Sequence, residues 1–198
     1  MTRLALIRHG PTAWNAEGRI QGRSDLPLSA EGRAAVGAWR LPEGIGDPGW
    51  AWLASPLARA RETATLLKPD GPVTAEPLLT EMDWGEWEGR RLAELRTEGG
   101  AVMVEAEARG LDFRPPGGES PRAVQARLRP LLARLAQTDG CTLAVTHKGV
   151  IRALYAQASG WDMTGRPPTK LRDARVHVFA LEAGGRPRIE RLNLELAP

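Results

Sequence analysis

With 198 residues, 42% hydrophobic and 26% charged, the chain has the size and apolar content for one domain around one sizeable core. It contains no run of about 18 apolar residues, so no membrane-spanning helix and no membrane partner are expected. Leu4–Ile7 is too short for the apolar part of a signal peptide, and a single cysteine, Cys141, excludes an internal disulfide framework. A cytoplasmic location is expected. The net charge of +3 comes from 24 Arg and 3 Lys against 24 acidic residues. The arginines are interleaved with Glu and Asp, without a basic run or an RNA-binding aromatic motif, so no nucleic-acid partner is expected. Three His and one Cys make a His/Cys metal site an unpromising reading.

In chain order, the apolar run Leu4–Ile7 predicts a strand over about 3–7 that ends at Arg8-His9-Gly10-Pro11. Ser29 as N-cap, with Glu31 in the first turn, predicts a helix to about Trp39. A strand over about 50–54 leads into Ser55-Pro56, read as an N-cap followed by Pro at the first helical position of a helix to about Leu67. A short strand falls near 73–76, and a helix covers about 91–109, weakened by Gly99-Gly100. Ser120-Pro121 repeats the start signal for a helix to about Ala136, with Pro130 expected to kink or split it. Strands over about 141–146, 176–181 and 188–194 surround a helix over about 149–158. Loops are marked by Pro42–Gly49, Lys68–Pro72, Arg114–Gly118 and Gly184–Pro187. Strands alternating with helices imply an α/β fold, a three-layer α/β/α sandwich on a mixed, largely parallel central sheet, as a single domain over 1–198.

The chemistry gathers where apolar runs end. Arg8 offers a fork of N–H donors matched to phosphate oxygens, and His9 a ring nitrogen able to act as nucleophile near neutral pH. Gly10 would let the backbone approach a bound group closely. Arg59, one turn into the helix after Ser55, can reach back over a helix N-terminus that already favours anions; Arg61 reads as solvated. His147 follows the apolar strand before Gly149. Each cluster alone reads more readily as a surface Arg or a structural His. Together, two imidazoles and two guanidinium groups at strand ends could surround one phosphoryl group. The acidic-aromatic stretch Leu79–Gly89 offers Glu81 as the acid for the leaving oxygen, with Asp83 its rival and Glu86 and Glu88 read as solvated or structural. An apolar wall at Trp84 or Trp87 would disfavour ionised Glu81 while the cationic cluster would favour it, and these effects oppose.

The order of these motifs resembles the histidine phosphatase superfamily, the phosphoglycerate-mutase-like proteins. The resemblance runs from Leu6 to about Ala156. It rests on Leu6-Ile7-Arg8-His9-Gly10, Thr12-Ala13-Trp14-Asn15, Gly18–Gly22, Asp25–Leu28, Gly32, Ser55–Thr63, Glu81 with Gly85 and Trp87-Glu88-Gly89, Pro116–Ser120 and Thr146–Arg152. It implies His9 as the nucleophile that becomes phosphohistidine. Arg8, Arg59 and His147 would hold the phosphoryl oxygens, and Glu81 would protonate the leaving alcohol and then activate water. Asn15, Gln21 and Gly22 would add contacts near the phosphate, without cofactor or metal. Two positions depart from the pattern: Pro11 replaces the usual Glu or Gln, and Lys148 the usual Gly. Lys148 beside the pocket could bind a second acidic group on the substrate, or point to solvent. His177 is expected to be structural, and the tryptophans to be core and pocket wall, with Trp14 and Trp84 bordering the site.

The activity expected is a phosphomonoesterase on a small phosphorylated metabolite, since the chain is short for a mutase of this family and Pro116–Ser120 resembles the phosphatase branch. The alternatives are a phosphoglycerate mutase and, less favoured because the full catalytic set is retained, a non-catalytic phospho-ligand-binding module.

Overall fold

The structure, a computed structural model, describes residues 2–197. Its six-stranded sheet has the order β3-β2-β4-β1-β5-β6. The strands are β1 (Thr2–Arg8), β2 (Ala51–Ala54), β3 (Thr74–Ala75), β4 (Cys141–Thr146), β5 (Arg175–Leu181) and β6 (Pro187–Glu195). The pairs β3–β2, β2–β4 and β4–β1 are parallel, while β1–β5 and β5–β6 are antiparallel. The sheet is thus mixed, as expected.

The pleat of β1 and β4 divides the core into two layers. Leu4, Leu6 and Ala144 face a cluster with Val124, Leu128, Leu131, Leu154 and Tyr155. Ala5, Ile7, Leu143 and Val145 face the opposite cluster, with Ala60, Ala64 and Trp52. Period-2 alternation on strands buried on both faces produces this split. One helical layer contains α5 (Pro121–Ala136) and α6 (Lys148–Ser159), and the other α2 (Ala30–Ala38) and α3 (Ala58–Leu67). A short helix α1 (Ala13–Ala16), absent from the sequence reading, is closed by a capping box between Thr12 and Asn15.

Three expectations change. Ser55 does not cap α3: the helix starts two residues later, after Leu57, which makes no side-chain cap. Ser55 still prolongs the strand, donating its N–H to the Val145 carbonyl (2.9 Å), and Asp25 Oδ1 from another loop accepts from the Ala58 N–H (2.6 Å). Pro130 does not split α5, which runs unbroken to Ala136. Pro130 and Ala126, whose carbonyl it leaves without an intrahelical donor, both lie on the exposed side, where water can satisfy that oxygen. Helix α4 (Leu92–Glu107) breaks at Gly100, with φ 48° and ψ −126°, so the expected weakness is an actual kink in a region only glycine tolerates well.

Candidate active site

The central parallel strands deliver the site. His9 follows β1 and donates its N–H to the Thr146 carbonyl (2.9 Å); His147 follows β4; Ser55 follows β2. Register pairs Arg8 with Thr146 and Ala54 with Val145, so the carboxyl ends of these strands are level. The rings of His9 and His147 stand with centroids 5.2 Å apart. Gly10 serves packing rather than ligand approach: a Cβ there would lie 2.3 Å from Val36 Cγ2 on α2.

Each imidazole meets one close polar neighbour. His9 Nδ1 is 2.7 Å from the Gly10 carbonyl, which can only accept, so Nδ1 carries the proton and Nε2 keeps its lone pair. Burial, then the charges of Arg8 and Arg59, lower its pKa well below the ordinary 6.5, against a weaker opposing pull from the Gly10 carbonyl. The neutral ring is therefore the resting form. His147 Nε2 lies 2.7 Å from Ser55 Oγ, while its buried Nδ1 has no partner. With the Ser55 hydroxyl donating to Nε2, Nδ1–H is a free donor. Burial and then the neighbouring His9, Arg59 and Arg8 hold this ring neutral too.

Arg59 is wholly buried, and its Nη1 and Nη2 donate to the carbonyls of Ser24 (2.8 Å) and Gly22 (2.7 Å). Its backbone carbonyl accepts from Thr63 Oγ1 (2.7 Å), which itself accepts from the Gly10 N–H (2.9 Å). Thr63 thus ties the turn after His9 to the helix that carries Arg59. The Nε atoms of Arg59 and Arg8 are buried without partners. Buried unpaired donors are costly in a folded protein. The side chains of Arg8, Arg59 and His147 all lie within electrostatic reach of the His9 ring, so these buried groups without partners stand in one neighbourhood. Arg61 is exposed, as expected.

Glu81 is 6% exposed, and its oxygens accept from the N–H groups of Met82 (2.7 Å) and Gly149 (3.1 Å). The opposition left open by the sequence resolves in favour of burial. Desolvation raises the Glu81 pKa, outweighing those two N–H groups and the charges of Arg59 and Arg8. Any side chain at Gly149 would collide with it, since a Cβ would lie 2.3 Å from Oε1. Arg127 of α5 grips the segment before Glu81 by donating to the carbonyls of Leu78 and Thr80, and pairs with Glu119 (2.9 Å). Asp83 turns elsewhere, to the Gly85 N–H (2.8 Å) and Arg23 (3.3 Å). Glu88 is structural, accepting from the N–H groups of Arg23 and Ser24 (2.6 and 2.8 Å).

Arg8, His9 and Glu81 open on a cleft of about 590 Å³ that Asn15, Gln21 and Lys148 also line, whereas the wholly buried Arg59 and His147 are not part of its lining. Asn15 Oδ1 is committed to the Thr12 N–H (3.1 Å), and Gln21 donates through Nε2 to Thr12 Oγ1 while its Oε1 is buried without a partner. Gly22 is not part of the lining. It acts through its carbonyl on Arg59, and a Cβ there would strike Glu88 Oε1 at 1.9 Å. Lys148 pairs with Asp173 (3.6 Å), which also holds Arg8 Nη1 (2.8 Å). Burial would raise the Asp173 pKa, but these two cations lower it. Trp84 borders the cleft against Phe113. Leu92, Arg96 and Glu107 of α4 form its outer wall. His177 is structural: it is buried, and its Nδ1 accepts from the Asn193 N–H (3.2 Å). Sequence reading missed Ser55 as a histidine partner, Asp25 as the acceptor at the start of α3, and Arg127 and Asp173 altogether. No group of three or more His, Cys, Asp or Glu suited to a metal occurs among the described residues.

The sequence profile of the histidine phosphatase superfamily (branch 1) matches residues 4–195, and the chain belongs to that family. The match continues some forty residues beyond Ala156, taking in β5 and β6. A 2,3-bisphosphoglycerate-dependent phosphoglycerate mutase of Methylobacterium radiotolerans is 31% identical over 193 residues, covering 91% of this chain and 90% of that protein. Among solved structures, a mycobacterial glucosyl-3-phosphoglycerate phosphatase in complex with VO3 superposes with TM-score 0.80 at 28% identity, covering 98% of this chain and 99% of that one. The α-ribazole phosphatase from Shigella flexneri gives TM-score 0.76 at 27% identity, covering 99% and 98%.

Proposed function

We propose that this chain is a phosphomonoesterase that hydrolyses a small phosphorylated metabolite through a phosphohistidine. The observation that carries the reading is geometric: the Gly10 carbonyl faces His9 Nδ1 and leaves Nε2 free, and the buried Glu81 carboxyl lines the same cleft. His9 is neutral with its proton held on Nδ1 by the Gly10 carbonyl, while Glu81 a short way along the same cleft is held toward its protonated form. In the first step His9 Nε2 forms the bond to phosphorus as the bond to the leaving oxygen breaks, and Glu81 gives that oxygen its proton. Arg8, Arg59 and His147 Nδ1–H donate to the non-bridging oxygens. In the second step ionised Glu81 takes a proton from water, the water oxygen attacks phosphorus, and His9 leaves with inorganic phosphate as the other product. The imidazole and guanidinium donors supply the charge stabilisation without a metal. Kinship with two phosphatases across nearly the whole chain supports hydrolysis.

The mutase reading has its own support in the curated relative named above, and chain length does not separate the two, because this chain spans 90% of that mutase. A metabolite panel scored for phosphate release, beside a coupled assay with 3-phosphoglycerate and its bisphosphate, decides. Phosphate release without isomerisation is expected; isomerisation with negligible release would replace the proposal with the mutase.

A further inference from the structure

Arg8 stands between two cavities. It lines the cleft of His9 and Glu81, and it lines a second cavity of about 610 Å³ whose wall includes Asp173 and His177. From that second side the Asp173 carboxylate takes Nη1 of Arg8 at 2.8 Å. Among the described residues Asp173 is the one ion-pair or hydrogen-bond partner of the Arg8 side chain, and Nε of Arg8 is buried without a partner. In a guanidinium group the Nε–H and one N–H of Nη2 share an edge, and Nη1 stands apart from it. Asp173 therefore occupies the end of the fork and leaves open the edge that can donate to two oxygens of one phosphoryl group. A carboxylate that competed with the phosphoryl group would sit on that edge instead.

Asp173 is itself fixed from the edge of the sheet. Along β5 and β6, Val176 faces Leu194 but Val178 faces Arg191, so β6 carries one residue more than β5 across that step. Asn193 lies in this bulge with φ 57°, a left-handed conformation that Asn adopts more readily than most residues. There its backbone N–H donates to His177 Nδ1 (3.2 Å). Its Oδ1 accepts from the Arg172 N–H (2.8 Å), and its Nδ2 donates to the Lys170 carbonyl (3.1 Å). One side chain thus ties the segment just before Asp173 to β6. On the other side of Asp173, Ala174 holds φ 51°, a conformation that costs an L-residue energy and persists where the surroundings fix the chain. Arg175 Nη1 donates to the Ala174 carbonyl (2.8 Å).

We infer that Asp173 is a positioning residue for Arg8, and that the bulge at Asn193 sets Asp173. The contacts run from β6 through Asn193 and the segment 170–173 to the open edge of Arg8. The last two strands thereby take part in binding the phosphoryl group. The inference rests on the proposed role of Arg8 in holding that group, and not on whether a phosphoenzyme is then hydrolysed.

Charge and geometry have opposite consequences here. Removing a carboxylate beside an anion site strengthens anion binding by electrostatics alone, whereas removing the group that aims Arg8 weakens it. Inorganic phosphate is titrated calorimetrically into the unsubstituted protein, Asp173→Asn and Asp173→Ala, each with and without Arg8→Ala. Asp173→Asn keeps an acceptor for Nη1 and should bind phosphate at least as tightly as the parent. Asp173→Ala should bind about tenfold more weakly than Asp173→Asn, the scale of a charge-assisted contact. Phosphorylation of His9 by p-nitrophenyl phosphate should slow in the same order. In the Arg8→Ala background the two variants should bind alike. Asn193→Gly tolerates the left-handed backbone but deletes both side-chain bonds, and should lose severalfold in affinity, with no further loss on top of Asp173→Ala. Asp173→Ala binding as tightly as Asp173→Asn, or a difference between them that persists without Arg8, would overturn the inference. A failure of the reading beneath it has another signature: Arg8→Ala alone would leave the phosphate affinity unchanged.

Discussion

In the buried cluster around His9, the side chains of His9, Arg59 and His147 are at most 5% exposed, and each is held by a backbone carbonyl or a buried hydroxyl. At the outer wall Arg19 and Arg96 are held by Glu17 and Glu107, in pairs that stand largely in water. The two regions differ in what it costs to move a side chain. Withdrawing Arg59 leaves the carbonyls of Gly22 and Ser24 without their donors in a dry interior, a loss of about 1–3 kcal/mol for each unsatisfied group. Exposed ion pairs contribute about 0–1 kcal/mol. The centre is therefore rigid and suited to chemistry common to a family, while the rim can be rebuilt at little cost and is where preference for one metabolite over another can be set.

That contrast is sharpest at His9, the proposed nucleophile. His9→Ala is expected to abolish turnover while the thermal unfolding midpoint stays within a few degrees, because the ring contributes little to either core layer. In the unsubstituted enzyme a trapped phosphoenzyme should be acid-labile and alkali-stable, as a phosphoramidate is; residual activity near the parent level in His9→Ala would break the contrast at its root.

Next in size, Arg59→Ala and His147→Ala should each lower kcat by about a hundredfold or more, the scale of a lost electrostatic contact in the transition state. Arg61→Ala, two positions on and exposed, should stay within about twofold. A reversal of that order in steady-state kinetics would place the helix face wrongly.

Glu81→Gln should slow alkyl phosphates far more than p-nitrophenyl phosphate in single-turnover phosphorylation, since the good leaving group needs little protonation. The pH profile follows from the two displaced groups. His9, lowered below 6.5, stays neutral and competent as pH falls past that value, and the acid limb appears only at its depressed pKa. Glu81, raised above 4.5, stays protonated past that value, and phosphorylation is lost as pH rises through its elevated pKa. In Glu81→Gln the alkaline limb should vanish while the acid limb remains.

Arg127→Ala should have a smaller effect, about tenfold in kcat with KM little changed, by loosening the backbone at Leu78 and Thr80 that aims Glu81. If the loss were equal for alkyl phosphates and p-nitrophenyl phosphate, the arginine would be acting on stability rather than on the acid. Smallest of all is the effect of a chelator. EDTA should leave the rate unchanged, and loss of activity restored by Mg²⁺ or Zn²⁺ would contradict the assignment of the positive charge to side chains.

The inner region was legible in the sequence for a physical reason. An apolar run that stops at His or Arg and then Gly marks the end of a buried strand, and strand ends are where an α/β sheet gathers its ligands. The strands and the gathering of Arg8, His9, Arg59 and His147 at strand ends follow from that local signal; the strand order does not. What was illegible crosses the chain. Ser55-Pro56 looks the same as Ser120-Pro121, and Ser120 does cap its helix, yet the Ser55 hydroxyl is taken by His147, 92 residues away. Asp25, Arg127 and Asp173 act on partners that no local periodicity connects to them. Gly10 was read for a ligand and proved to be needed by Val36. The kink at Gly100 was foreshadowed by its residue pair, but that α4 walls the cleft could be known only from the fold.

The position of β1 has a consequence for how the protein is made. It lies between β4 and β5, with Arg3 opposite Cys141 and Thr2 opposite Leu181. The strand that carries Arg8 and leads to His9 leaves the ribosome early, yet both its neighbours come late. Until then its apolar run has no sheet to join, and it is the segment a chaperone would find exposed on the nascent chain. Long-range pairing of this kind makes folding slow compared with local hairpins. The candidate site can therefore close only after translation has passed β5, and the first appearance of activity in a synchronised translation reaction would mark the pairing of β1 with both its neighbours.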